Sequence, residues 1–309
     1  MFMTFADKLL GWYSQHQRTL PWRTHNSPYY VLVSELMLQQ TQVSRVIEKF
    51  KEFTRRFPTL QDLAKASKAE VIESWSGLGY NRRALLLHKF AQEVCEKHTG
   101  LIPQDKDQLQ ELPGMGPYTT GAILSFAYNL PEPAIDVNVR RIYLRFFRGK
   151  DQGLPMGKKE EQELYGLAKK TIPENKSAEF HNALMDFGSS VCTRNNPSCS
   201  ACPLQNSCQF FPLYTKKEKM LFVMEKRSEP GITENGKHIP NRIFRGRMVE
   251  FVRKNNRKEI SLEELGRQIK KDYSLHNEKW LLSLLRKLQD DGLLACQCDN
   301  NKITLSLPR

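Results

Sequence analysis

The stretch CTRNNPSCSACPLQNSC, residues 192–208, holds four of the chain's seven cysteines: Cys192, Cys199, Cys202 and Cys208. Four thiols this close together must pair, bind metal or stay reduced side by side, and each choice restricts the fold around them. The opening MFMTFADKLLGWYSQHQ has no uninterrupted apolar core of the kind a signal peptide carries, because Asp7 and Lys8 break it. It reads as an amphipathic helix, and the expected compartment is the cytoplasm. Disulfides are rare there, so metal ligation leads over a disulfide framework. No run of about eighteen apolar residues occurs, so no membrane span is expected.

The 309 residues carry a net charge of +13, a balance that favours polyanionic partners and above all nucleic acid. A basic surface with no nucleic-acid role fits the composition equally well. Residues 1–213 read as all-α. In YYVLVSELMLQQTQVSRVIEKFKEFTRRF, LQDLAKASKAEVIESWSG and RRALLLHKFAQEVCEKH, apolar residues recur every three or four positions. Residues 214–240 are rich in basic, Gly and Pro residues and read as a linker. Residues 241–309 read as a second domain of three helices and a hairpin around Asp299-Asn300-Asn301. That order suggests a small winged-helix-like α+β module. Ser261 N-caps its second helix, with Glu264 in capping-box position. Cys296 and Cys298 are read as ordinary strand residues. Over 220–309, 18 Lys/Arg face 12 Asp/Glu. The module therefore either binds DNA non-specifically or serves protein contacts or structure, and its partner is not specified.

LQELPGMGPYTTGAILSFAY (109–128) places Gly114 and Gly116 between two helical runs. Such a turn presents backbone N–H groups at a helix start, where a phosphate can approach closely. A plain helix connection is the alternative. Fifteen residues after Gly121, Asp136 precedes the apolar helix NVRRIYLRFF, where it could serve simply as an N-cap.

Hairpin, downstream Asp and four-cysteine loop, in that order, resemble the helix-hairpin-helix DNA glycosylase superfamily, the group containing endonuclease III and MutY. The resemblance covers about residues 5–212. It implies that C-x6-C-x2-C-x5-C is a [4Fe–4S] loop, with zinc as the alternative for four cysteines. LPWR (20–23), SELMLQQTQV (34–43) and GLGY (77–80) resemble MutY-type adenine glycosylases. The resemblance implies flipping of adenine out of an A·8-oxoguanine or A·G mispair in double-stranded DNA, then cleavage of its N-glycosidic bond. It also implies that Gln40 and Tyr80 fill or wedge the duplex, beside Leu38 and Gln39. DNA contacts are expected from Arg23, Gly114 and Gly116, phosphate contacts from Arg82 and Arg83, and a place near DNA for Arg194. The expected protein is a monomer.

Glu35 lies among apolar neighbours in VLVSELML, which would raise its pKa and keep a proton available near neutrality. A second carboxylate, Asp136, can stabilise an oxocarbenium-like sugar or attack it. By resemblance, Tyr118 lies beside the sugar and Asn138 positions the acid or water. Bifunctional relatives carry a Lys where this chain has Tyr118, so a monofunctional glycosylase is expected, without strand cleavage. Two other readings stand beside it: a mismatch thymine or uracil glycosylase of the same superfamily, and a catalytically silent DNA-binding protein. The Phe-Ser-His triplet of the usual MutY C-terminal domain is missing, so the resemblance leaves 8-oxoguanine recognition open.

Overall fold

The computed structural model describes residues 4–24, 27–151, 156–216, 229–256, 258–299 and 302–309. The chain packs as two compact units, each built from two stretches. The first comprises Met1–Glu35 and Ile102–Glu225, the second Leu36–Leu101 and Lys226–Arg309. No described helix is long and apolar enough to cross a membrane.

Among the described residues the first unit is helical without strands. Helix Phe5–His16 begins in a reciprocal cap. The Thr4 hydroxyl accepts from the Asp7 N–H, and the Asp7 carboxylate accepts from the Thr4 N–H. Asp7, which interrupts the apolar run, therefore starts the helix. Its inner face buries Phe5, Leu9 and Tyr13 against helices Val137–Arg148 and Ser177–Ser190, with Tyr143, Phe180 and Phe187 fully enclosed. Gly121 is needed for a close approach: a Cβ there would lie 2.2 Å from the Pro133 carbonyl oxygen. That approach brings the hairpin helix Pro117–Ala122 against the segment leading to Asp136.

In the second unit, the two long helical runs read from sequence are broken. Helix Pro28–Leu38 ends before Gln39, and helix Val43–Arg56 starts afresh. Gln40 has φ 57°, a left-handed conformation that no helix interior allows. The run at 60–77 likewise splits into Leu60–Lys65 and Lys68–Ser74, the second opened by a Ser67–Glu70 capping box.

Residues 229–309 form a module on this unit. Strands β1 (Gly231–Glu234) and β2 (Lys237–Pro240) make a hairpin inside the expected linker. Its signal was in the sequence: Asn235-Gly236, at φ 48° and 75°, is the preferred pair for a two-residue turn. Residues 217–228 of that stretch lie outside the described residues. Helix Asn241–Lys254, strand β3 (Lys258–Ser261), helices Leu262–Ile269 and Glu278–Asp290, and strands β4 (Ala295–Asp299) and β5 (Lys302–Ser306) follow. The sheet is antiparallel in the order β3-β5-β4, giving the helix–strand–helix–helix–hairpin order of a winged helix. Asn300 and Asn301 of the expected turn lie outside the described residues, while Asp299 pairs with Lys302 across it. Cys296 and Cys298 are strand residues opposite Leu305 and Ile303. Ser261 accepts from the Glu264 N–H, which is half of the expected capping box.

The module does not stand apart from residues 36–101. Ile72 belongs to the same buried cluster as Phe244, Met248, Val252 and Leu285, with Ala69 and Leu85 packed against it. Arg253, nearly buried, donates to the Ile72 carbonyl at 2.7 Å and to Asn81 at 3.0 Å. The sequence could not place the module here, because its apolar face was legible but the surface covering it was not.

Candidate active site

Helix Pro28–Leu38 buries every residue from Val31 to Met37, and Glu35 is the one acid among them, 8% exposed. The Tyr118 hydroxyl, from the first turn of the hairpin helix, donates to Glu35 Oε2 at 2.7 Å. Burial pushes the Glu35 carboxyl up to about 7. The Tyr118 hydrogen bond and the Arg23 charge oppose the shift, and the nearby Asp136 charge adds to it. Burial also holds the Tyr118 phenol well above its ordinary value, so it stays a hydrogen-bond donor. The pair thus presents a carboxyl that can hold or release a proton near neutrality.

Asp136 N-caps helix Val137–Arg148. Its Oδ1 accepts from the Asn138 N–H at 2.8 Å and the Val139 N–H at 2.7 Å. Its Oδ2 accepts from the Asn138 side-chain amide at 2.8 Å. The N-cap reading holds, and the cap fixes the orientation of the carboxylate. The structure places Tyr118 on Glu35 and Asn138 on Asp136, with the Asp136 charge acting on Glu35.

Sequence reasoning missed Arg141 and Arg145, both 3% exposed on the helix that Asp136 caps. Arg141 donates to Asn138 Oδ1 at 2.9 Å, to the Gly188 carbonyl at 2.7 Å and to the Cys192 carbonyl at 2.8 Å. Arg145 donates to the Thr193 and Arg194 carbonyls and approaches Cys192 Sγ at 3.6 Å. Together they tie the cysteine loop to the helix. The available signal was two arginines four apart on an otherwise apolar face, where a charge survives only if its donors are used.

The cysteine loop follows helix Ser177–Ser190. Cys192, Cys202 and Cys208 rest against the helical core. Burial, together with the facing thiols, raises Cys199, and raises Cys202 to about 12. Buried thiols become thiolates readily only beside strong positive charge, which Arg145 supplies in part and iron or zinc would supply in full. Among the described residues no three donors converge as a single metal ion requires.

In the hairpin, Gly114 takes φ 80°, where a side chain is strained, and exposed Gly116 N-caps the next helix with open space where a Cβ would sit. Arg23, expected against DNA, is committed elsewhere: both its terminal nitrogens bind the buried Asp186, at 2.8 and 2.9 Å.

The second unit carries the two turns expected to meet the duplex. Gln39 and Gln40 are exposed, and Tyr80 is 39% exposed. Gln40 and Tyr80 both have left-handed backbones, at φ 57° and 44°. Such strain in bulky residues clusters at functional sites. Arg83 corrects the sequence reading. Rather than meeting phosphates, it is 6% exposed and donates to the carbonyls of Leu36, Met37 and Gln39 in one turn and Leu78 and Gly79 in the other. It terminates the first helix and fixes both turns.

Comparison with known proteins adds an independent line. Residues 33–170 match the family model described as HhH-GPD superfamily base excision DNA repair protein. The adenine DNA glycosylase of Mycobacterium tuberculosis is 42% identical over 199 residues, 63% of this chain and 64% of that protein, so the match spans less than two thirds of that relative's length. The human adenine DNA glycosylase is 40% identical over 215 residues, 66% of this chain and 39% of that protein. The Buchnera aphidicola (subsp. Baizongia pistaciae) enzyme of the same name is 32% identical over 281 residues, 83% of this chain and 79% of that protein. Among solved structures, a thermostable thymine-DNA glycosylase superposes with a TM-score of 0.63 at 27% identity, covering 68% of this chain and 95% of that one. A trapped endonuclease III–DNA covalent intermediate does so with a TM-score of 0.57 at 24% identity and the same coverages, which establishes the shared fold.

Proposed function

Because the chain belongs to the adenine DNA glycosylase family, we propose that it excises mispaired adenine from double-stranded DNA, opposite 8-oxoguanine or guanine, by hydrolysing the N-glycosidic bond after base flipping. The observation that carries this reading is the buried Glu35, held by Tyr118 and facing Asp136, with its carboxyl at about 7. Adenine leaves poorly as an anion. Glu35 donates its proton to the base as the bond to C1′ breaks, and the bonding electrons depart with the base. The Asp136 carboxylate, fixed by its cap, stabilises the positive sugar. Water then attacks C1′, its proton passing to the Glu35 carboxylate that the first step left, and an abasic site remains. Asn138, locked between Asp136 and Arg141, holds the carboxylate and its approach in register.

No amine stands at Tyr118, so the same site lacks the nucleophile for Schiff-base strand cleavage. Gly114 and Gly116 admit a backbone phosphate at the hairpin, while Gln40 and Tyr80 enter the duplex. The four cysteines fit a [4Fe–4S] cluster, in which each iron takes one thiolate. Cys192, Cys199, Cys202 and Cys208 would hold it, Arg145 balancing its charge. Bound there, the cluster would cross-link the loop, while the two carboxylates carry the chemistry. The protein acts as a cytoplasmic monomer.

The test is hot-alkali cleavage of labelled duplexes incubated with the purified protein. Excision of adenine from A·8-oxoguanine or A·G is expected, with no strand break before alkali. Release of thymine or uracil from T·G or U·G, with adenine untouched, would move the chain to the mismatch-thymine reading. The relatives named adenine DNA glycosylase, 42% and 32% identical, favour the first outcome. Absorption near 400 nm separates an iron–sulfur cluster from colourless zinc.

A further inference from the structure

Within the second unit, a groove of about 1200 Å³ opens between the turns 39–45 and 77–83 on one side and helices Asn241–Lys254 and Glu278–Asp290 on the other. Its floor holds Asp291, whose side chain is 5% exposed. Three cations converge on that one carboxylate: Arg82 at 3.7 Å, Arg245 at 3.6 Å and Lys287 at 3.4 Å. These separations exceed a direct charge-assisted hydrogen bond of about 2.8 Å. One negative charge therefore collects three positive ones without using up their donors, leaving a net excess of two. Exposed Arg45 adds another cation on the rim, where it reaches the Gly77 carbonyl at 3.5 Å. Exposed Ser283 lies one turn before Lys287 on the same helix face. The half-exposed Tyr80 ring also lines the groove, with the Arg242 guanidinium 5.9 Å from its centroid.

Several features narrow the occupant. The lining is cationic in excess, its donors are spread along a groove, and an aromatic ring stands at one end. Of the apolar side chains lining the groove, Leu78, Val249, Leu284, Leu288 and Leu293 are buried, so a protein partner with an apolar anchor would meet only Pro230 and Ile243 as exposed ones. A polyanion with stackable rings would meet both kinds of group. The geometry points to a DNA-backbone clamp: the C-terminal module and the two wedge turns together grip the phosphodiester chain of one strand, through Arg82, Arg245 and Lys287, with Arg45 beside them. This deepens the glycosylase reading and rests on it for the identity of the polyanion. It assigns the C-terminal module a task for which a winged helix needs no base-reading contact, because phosphate contacts position without reading sequence.

The test uses the full chain, with its metal loaded, and fluorescence anisotropy on an undamaged duplex over a salt series. The outcome then does not depend on which base is excised. In the double variant Arg245→Gln/Lys287→Gln, the slope of log K against log salt should become shallower by roughly 1 to 2, at about 0.9 for each phosphate no longer neutralised. Affinity at low salt should fall by tenfold or more. Ser283→Lys, at an exposed position, adds a cation and should steepen the slope by about 0.9; it keeps the proposal testable if the double variant folds poorly. Unchanged slopes in both variants would overturn the clamp, and so would weaker binding at constant slope. A clamp of this kind could coexist with failed adenine excision, in which case only the glycosylase reading falls.

Discussion

The two units handle charge in opposite ways. In the first, the acids that matter are held by fixed neighbours: Glu35 is buried and bonded to Tyr118, and the half-buried Asp136 accepts three hydrogen bonds from the start of its helix. In the second, the cations that matter are half-open and loosely held around Asp291, and the exposed turns carry left-handed residues. A proton donor works by being kept from water, which shifts its pKa. A phosphate contact works by giving up its own water and counterions at the moment of binding. Chemistry is accordingly built on helix interiors and an N-cap, and DNA handling on turns.

That contrast breaks first at Glu35. Glu35→Gln should lower single-turnover adenine release by 10² to 10⁴ or more, the range for a positioned general acid, with DNA affinity kept. The same change should stabilise the fold. A carboxyl raised from 4.5 to about 7 binds more protons folded than unfolded between those values. Its contribution is fully present below 4.5 and is lost as pH rises through 7, amounting to about 3 kcal/mol at most. Urea denaturation at pH 8 should therefore favour the variant, and a less stable, fully active variant would remove Glu35 from the role of acid.

Asp136→Asn comes next. Asn still caps, so melting should shift little, while excision falls by roughly 10² to 10³ through loss of the charge facing the sugar. A large stability loss with intact turnover would make Asp136 a cap and nothing more.

Arg83→Met tests the turns. Six backbone carbonyls, that of Tyr80 among them, lose a donor, so a destabilisation of about 1–3 kcal/mol is expected, with weaker DNA binding and an unaltered pH profile. A shift in the pH profile would mean that the two units are not separable in this way.

Subtler is Tyr118→Phe. The hydrogen bond it removes was lowering the Glu35 pKa, so the falling alkaline limb of the excision profile, centred near 7, should move to higher pH. The smallest effect is expected at the hairpin. Gly116→Ala meets open space and should leave melting within about 0.5 kcal/mol, whereas Gly114→Ala is strained at φ 80° by about 1 kcal/mol.

Much of the first unit was legible because its signals are local. Asp136 stands where a cap belongs, Glu35 sits in an apolar run, and the cysteines are close in sequence. The second unit was legible in its elements and less so in its uses. Arg82 and Arg83 are adjacent and chemically alike, yet one lies 65% exposed and the other beneath the turns. Arg23 reads as a surface base until Asp186, far along the chain, claims it. A guanidinium's role depends on which acceptors reach it, and those come from distant sequence.

The helical class, the three helices and closing hairpin of the last domain, the four thiols and the two carboxylates were written in the linear chain, because periodicity, capping and spacing act over a few residues, whereas strand β3 between the first two of those helices was not. Three-dimensional packing was needed to show that Glu35 meets Tyr118, that buried Arg141 and Arg145 bind the cysteine loop, and that the C-terminal module shares a core with Ile72. Those outcomes depend on burial, and burial is a property of what the rest of the chain covers.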